Sequence, residues 1–258
     1  MNFNNSSVFI QVPFSSLDST LERLMEERIQ PEIGFTGPDL DRLDMDQLAV
    51  TGKRLADAGL KRTVHAPYND LNPGSLEPLV VQATAERFLD TLECANHLGA
   101  HLVVVHPGYD PWRYGFHEEL WLEKASQFWP PILKRAADLH LSVALENVFD
   151  RHPRPLLDLL QEFSAPGLGF CLDVGHYQLF RSTTLEDWVE RMAPFLMHLH
   201  LHDNFGERDD HLPISQGLFD FAHLFSLLED LEAVPSMTLE NGSIDDALLS
   251  RRALRSFF

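Results

Sequence analysis

Short apolar runs of strand length alternate with longer stretches of helical spacing along the whole chain. The runs are SVFIQV (7–12), PEIGFT (31–36), RTVHA (62–66), HLVVVH (101–106), LSVALE (141–146), GLGFCLD (167–173), FLMHLHLH (195–202) and PSMTLE (235–240). Between them, LERLMEER (21–28), LEPLVVQATAERFLDTLECANHL (76–98) and LWLEKASQFWPPILKRAADLH (120–140) place apolar residues three and four apart, as a helix with one buried face requires. Pro130 and Pro131 predict a kink or split in the last of these, because each removes a backbone donor and crowds the preceding turn. Strands separated by helices pair in parallel, since antiparallel neighbours need only a hairpin. Eight such units in 258 residues predict an α/β fold, a closed (β/α)8 TIM barrel, with residues 1–258 forming one domain. An open doubly wound sheet is the competitor, but no G-x-G-x-x-G follows the first run and no P-loop occurs.

In a closed parallel barrel, reactive groups gather at the C-terminal ends of the strands. At that position the last six runs carry His65, His106, Glu146, Asp173, His200 and Glu240. Every one can bind a metal or move a proton, which a random draw from this composition would rarely give. His176 follows Asp173 by three residues, and Asp209 and His211 form a D-x-H in the long 203–217 loop. The nine together offer only nitrogen and oxygen donors, which suits zinc, manganese, cobalt or ferrous iron, zinc and manganese first among them. One ion does not take nine ligands, so one to three ions per chain are expected, with shared carboxylates.

Each residue has a plainer reading. A single histidine at a strand end is commonly a hydrogen-bonded core residue, and the D-D-H of the loop could be a solvated cluster. Glu146 and Glu240 resist that reading, because a carboxylate ending a buried strand costs several kcal/mol unless paired or coordinated. His198, His200 and His202 share one face of their strand. His200 is placed at the site, His202 nearer the mouth as a substrate contact, and His198 as barrel filling. Cys171 also points inward, where a small buried thiol is the simpler account. The other candidates for substrate contact are Asn147, Tyr68, Trp112 and Arg208, polar or aromatic groups in the loops after strands.

Charge narrows the partners. With 20 Lys+Arg against 39 Asp+Glu, the formal net charge is −19, which argues against nucleic acid and anionic membranes. The four lysines fall away from the expected catalytic face. The loops after the strands hold only Arg113, Arg151, Arg154, Arg181 and Arg208, enough for one small phosphate but not for a duplex. Two cysteines exclude a disulfide framework and fit a reducing compartment. Without a signal-like N-terminus or a spanning apolar run, the expected location is cytoplasmic. The aromatic-rich segment 109–129 covers a homodimer partner or the pocket, or else forms helix core.

HAPY (65–68), HPG (106–108), LEN (145–147), CLDVGH (171–176), HLHLHDN (198–204), DDHLPISQG (209–217) and LEN (239–241) occur in an order that resembles the xylose isomerase-like superfamily of TIM barrels. That superfamily includes endonuclease IV and sugar (phosphate) isomerases and epimerases. Resemblance to endonuclease IV implies three zinc ions on His65, His106, Glu146, Asp173, His176, His200, Asp209, His211 and Glu240. Resemblance to the epimerases implies one ion on Glu146, Asp173, His200 and Glu240, with Glu146 and Glu240 also serving as acid and base. The chain satisfies both patterns. It departs where the family's loop commonly reads G-E-G and this chain has Ser215-Gln216-Gly217, which puts a backbone turn in question. The expected activity is that of a metal-dependent sugar or sugar-phosphate isomerase or epimerase. The alternative is an endonuclease IV-like multi-zinc phosphoesterase acting on abasic DNA or a small phosphoester. A complete ligand set argues against a binding barrel without catalysis.

Overall fold

The computed structural model describes residues 7–163 and 167–258. Eight strands close into a barrel in chain order: β1 (Val8–Pro13), β2 (Gln30–Gly34), β3 (Thr63–His65), β4 (Leu102–Val105), β5 (Ser142–Glu146), β6 (Leu168–Asp173), β7 (Leu196–Leu201) and β8 (Ser236–Leu239). Each pairs in parallel with the next, and β8 returns to β1 through Val8↔Met237, Phe9↔Thr238 and Ile10↔Leu239. The crossovers are helical: α1 (Phe14–Glu26), α2 (Gly37–Leu40), α3 (Met45–Asp57), α4 (Pro78–Leu98), α5 (Glu118–Asp138), α6 (Arg154–Phe163), α7 (Val174–Phe180), α8 (Leu185–Met192) and α9 (Phe221–Asp230), with α10 (Ile244–Leu254) after the last strand. Every apolar run read from the sequence is a strand.

Strand alternation divides the side chains into two sets. Outward-facing Val64, Val103, Val105, Val143, Leu145, Phe170, Leu172, Leu199, Leu201 and Leu239 join the buried helix faces in one large core. Trp121 and Trp129 on α5 are fully enclosed there, and aromatic side chains of this size each bury roughly 150–250 Å². Inside the barrel the apolar cluster is small, comprising Leu102, Val104, Ala144 and Cys171. Apart from Phe9 beside His198, most of the remaining interior is polar, with Glu32, Thr63, His65, Glu146, Asp173, His198, His200 and Thr238 all buried. A barrel interior is ordinarily packed with branched apolar residues. Charges inside this one must be satisfied by each other or by a ligand.

The split expected at Pro130 and Pro131 does not occur, and of the readings of the aromatic segment helix core holds for most of it. Helix α5 runs unbroken through Pro130 and Pro131. Proline cannot donate to the preceding turn, so the carbonyls of Ser126 and Gln127 lose their helical partners there. The aromatic segment is mainly core: Tyr109, Tyr114, Trp121, Phe128 and Trp129 are buried, and only Trp112 and Phe116 stand out, packed edge to face on each other. No helix among the described residues is long and apolar enough to cross a membrane.

Candidate active site

The C-terminal ends of the strands open into a cavity of ≈ 630 Å³ whose floor is built by the candidate ligands. Glu146 closes β5 and sits at the centre. Its Oε2 lies 3.0 Å from His65 Nε2, 3.3 Å from His106 Nε2 and 3.4 Å from His200 Nδ1, while Oε1 is 3.2 Å from His176 Nδ1. Across the barrel, Glu240 Oε2 lies 3.1 Å from His200 Nδ1, and Glu240 Oε1 accepts a 2.7 Å hydrogen bond from Gln11 Nε2.

Local structure explains how Asp173 and His176 come to share the site. Asp173 ends β6 and caps α7, its Oδ1 accepting from His176 N at 2.6 Å. One turn later the His176 ring points back over the barrel, where its Nε2 is 3.4 Å from Asp209 Oδ2. Asp209 also meets His211 Nε2 at 3.0 Å. His211 holds a left-handed backbone (φ 50°), and its Nδ1 lies 2.8 Å from Glu240 O. A non-glycine residue held in that region costs of order 1–3 kcal/mol and persists where the surroundings fix it.

The long loop is tied at its root by Asp203, which is fully buried. Its carboxylate accepts from the backbone N–H of Asn204 (2.9 Å), Gly217 (2.8 Å) and Phe219 (3.1 Å), and its backbone bridges Leu212. The Ser215-Gln216-Gly217 turn survives its departure from the family pattern. Ser215 itself adopts φ 66°, and Gly217 packs so closely on Asn204 and Asp203 that a Cβ there would overlap both.

Four groups of donor atoms meet the distance requirement for a shared ion: Glu146, Asp173, His200 and Glu240; His65, His106 and Glu146; His202, His211 and Glu240; and, deeper in the barrel, Glu32, His198 and His200. Within each group the donor atoms lie within 4.8 Å of one another. Several of these atoms face each other without hydrogen bonding. His200 Nδ1, His202 Nδ1 and Glu240 Oε2 are buried and lack a hydrogen-bond partner. Unpaired buried donors and acceptors gathered on either side of one carboxylate are what a cation-binding site requires, so these residues fit a divalent metal.

The electrostatics agree. Burial disfavours the charge on Glu146, but His106, His200 and His176 outweigh it and hold the carboxyl well below its usual range. Burial opposes the charge on Glu240 too, and His200 chiefly overcomes it, bringing the carboxyl down to about 2. His200 is pushed well above the ordinary imidazole value, since Cys171, Glu146, Glu32 and Glu240 together overcome its burial. His176 is raised in the same way by Asp173, Asp209 and Glu146, and His211 rises to about 9 because Asp209 outweighs its burial. His106 goes the other way, lowered by burial. His65 is raised as well, by Glu146 against its burial, so protons on four imidazoles offset the clustered carboxylates, a role that divalent cations would take over.

Of the substrate contacts expected from sequence, Tyr68 lines the cavity, stacked on His106 at 4.4 Å. Three others lie elsewhere. Trp112 is 81% exposed outside the cavity wall, and Arg208 turns to solvent and pairs with Asp210 at 3.2 Å. Asn147 is buried with both amide groups committed: Nδ2 donates to Asp173 O and Oδ1 accepts from Asp173 N, each at 2.9 Å. It braces the end of β6 instead of facing the cavity. His202 is fully buried, 3.1 Å from Asp173 Oδ2 and stacked on His211 at 4.1 Å, a place among the ligands. His198 lies deeper, bonded to Ser236 and Thr238.

Sequence reasoning passed over Glu32 on β2, which is buried against His200 and His198. It also passed over Gln11 and Asp203. Glu32 carried one usable signal, a carboxylate at mid-strand in a run otherwise fit for burial.

A sequence profile of the xylose isomerase-like TIM barrel matches residues 31–257. The chain belongs to that family. A protein of Methanocaldococcus jannaschii, MJ1311, is 30% identical over 203 residues, 75% of this chain and 69% of its own. A probable endonuclease 4 of Mesomycoplasma hyopneumoniae is 25% identical over 184 residues, covering 65% of this chain and 64% of its own. Among solved structures, a D-tagatose 3-epimerase-like protein superposes with a TM-score of 0.83 at 26% identity, over 96% of both chains. The TTHB071 protein of Thermus thermophilus, from crystals soaked in zinc chloride, gives 0.81 at 28% identity over 97% of both.

One glycine controls the geometry from behind. A Cβ on Gly175 would run into the His202 ring. Gly175→Ala is expected to displace that imidazole, cost about 1–3 kcal/mol of stability as overpacking does, and weaken zinc binding at least about tenfold. Thermal melts and zinc titration of the variant check both.

Proposed function

We propose that this protein is a divalent-metal-dependent epimerase or isomerase of a neutral, unphosphorylated sugar, with Glu146 and Glu240 as the proton-transferring pair. The observation that carries this reading is the convergence of Glu146, Asp173, His200 and Glu240 at the base of a cavity sized for a small molecule. A bound divalent cation would supply the positive charge that offsets negative charge developing on the substrate's oxygens. Glu146 and Glu240 stand on strands three apart and both line the cavity. One carboxylate therefore removes the proton from the carbon beside the carbonyl, and the other delivers one to the opposite face. Gln11 holds Glu240 by one oxygen and leaves the other turned toward His200 and the cavity floor. Leu71, Tyr109, Val148, Phe149 and Phe180 form an apolar wall against which a sugar ring or chain can lie.

The charges around the cavity favour an unphosphorylated substrate. Beyond the ligand carboxylates, whose charge imidazoles or a bound cation would offset, Asp70 and Asp110 line it, and Arg113 is the one arginine among the described residues that does. The other loop arginines are engaged or lie elsewhere: Arg154 with Asp158, Arg181 on Tyr177, Arg208 with Asp210, and Arg151 beside a separate groove. A phosphate dianion would meet net repulsion there. Incubating the metal-loaded protein in deuterated water with free ketoses and with their phosphates tests this. Deuterium incorporation and epimer formation are expected with free sugars only, and turnover confined to the phosphates would refute the substrate class.

A second reading rests on the His65–His106–Glu146 and His202–His211–Glu240 groups, which a single-ion proton shuttle does not need. Together with Asp209 between His176 and His211, they suit two or three ions and hydrolysis of a small phosphoester. Metal content per chain, measured on protein purified without a metal-affinity tag, separates the two. One ion is expected for the epimerase, and then His65→Ala should lower turnover only about tenfold, since it removes a hydrogen-bond partner of Glu146 and not a ligand. Two or three ions and a severe loss in the variant would favour the phosphoesterase.

A further inference from the structure

Glu32 is the interior charge that the reaction above leaves unused. It sits on β2 with no exposed surface, below the ligands and out of reach of the cavity. Its Oε2 is saturated, accepting from Thr63 Oγ1 at 2.8 Å and Thr238 Oγ1 at 3.0 Å, with His198 Nε2 3.3 Å away. Its Oε1 lies 2.9 Å from His200 Nε2 without the alignment of a hydrogen bond, and neither of those atoms has a hydrogen-bond partner among the described residues. Four strands, β2, β3, β7 and β8, thus devote interior positions to holding one carboxylate against the back of one imidazole. A buried carboxylate costs several kcal/mol, so packing alone does not account for it, and an apolar side chain of the same volume would fill the space more favourably.

The imidazole supplies the reason. His200 turns Nδ1 toward Glu146 and Glu240, and that nitrogen ligates a metal only when its proton is elsewhere. We infer that Glu32 is a positioning residue for metal binding: its carboxylate, 2.9 Å from His200 Nε2, favours the proton on that nitrogen and so biases the ring's orientation and tautomer to leave the Nδ1 lone pair facing the Glu146–Asp173–Glu240 cluster. Thr63 and Thr238 clamp the other carboxylate oxygen and stop Glu32 from swinging toward the cavity itself. This rests on the metal-dependent reading of the site and extends it to a residue that touches neither metal nor substrate.

The test uses Glu32→Met, which fills the same space without an acceptor and spares the fold a buried charge. Zinc titration is expected to show affinity falling by about 10–100-fold, while the circular dichroism spectrum stays that of the parent. Glu32→Gln, which still offers one oxygen to His200, is expected to recover most of the loss. Nitrogen-15 NMR of the zinc-loaded parent protein gives a readout independent of any variant's folding: His200 should carry its proton on Nε2 and bind zinc through Nδ1. Equal zinc affinity in the parent and Glu32→Met, or a proton on Nδ1, would overturn the inference while leaving the site's metal dependence intact. A parent protein that binds neither zinc nor manganese would overturn both.

Discussion

Glu240→Gln is expected to lower turnover at saturating metal by roughly a thousandfold, the middle of the range for losing a general acid or base. The substitution keeps the side chain's shape and the oxygen that accepts from Gln11, so the fold should remain intact by circular dichroism. What it removes is a carboxylate whose ionised form is held down to about 2 by neighbouring imidazoles, principally His200, against the effect of burial. An amide at this position cannot take a proton from carbon near neutrality. Exchange of the C–H with solvent deuterium should disappear for the epimer whose proton faces Glu240, whereas the epimer whose proton faces Glu146 should still exchange without being epimerised. A variant retaining a tenth of the parent's activity on the same sugar would show that Glu240 is not part of the proton-transferring pair.

The metal-free and metal-loaded forms are expected to respond to pH in opposite senses. His211 is raised from the model-peptide value of 6.5 to about 9 when folded, so its stabilising pairing with Asp209 is fully present below pH ~6.5 and lost as pH climbs through 9. Glu240 runs the other way: lowered to about 2, it contributes fully above pH ~4.5 and loses that contribution as pH falls toward 2. The metal-free chain should therefore be most stable between about pH 4.5 and 6.5 and weaken by a few kcal/mol toward pH 9. With zinc or manganese present, the same histidines must release their protons to bind, so affinity and melting temperature rise across about pH 6.5–9. Melting curves with and without metal at about pH 5, 7 and 9 check the crossing. Parallel curves would mean that these imidazoles are not the ligands.

The barrel was legible because its evidence is local. Each strand is a short apolar run, and the six ionisable residues ending the last six runs sit where parallel strands expose reactive groups. His176 and Asp173 could be read together because a cap and the turn after it lie within four residues. Glu32 could not, since its meaning depends on Thr63, Thr238, His198 and His200, which reach it only once four strands are side by side. Asn147 misled for the same reason. Beside a catalytic glutamate an amide looks like a substrate contact, and only the neighbouring strand shows that both its ends are committed to Asp173. Pro130 and Pro131 misled because local sequence does not show how firmly Trp121, Phe128, Trp129 and Ile132 anchor the helix on either side of them. Trp112 and Arg208 were placed at the mouth by loop membership alone, and their direction is set by Phe116 and Asp210.

The knot at Asp203 separates two regions of one loop that would otherwise vary together. Everything from Asp209 to Gly217 hangs from that carboxylate and carries ligands, whereas Phe205 through Arg208 project into solvent beyond it. Insertions or randomised residues in the 205–208 stretch can reshape the rim without disturbing Asp209 or His211. In a lineage, or in a laboratory library, new preferences for ligands at the entrance can then accumulate there while the reaction centre is inherited unchanged.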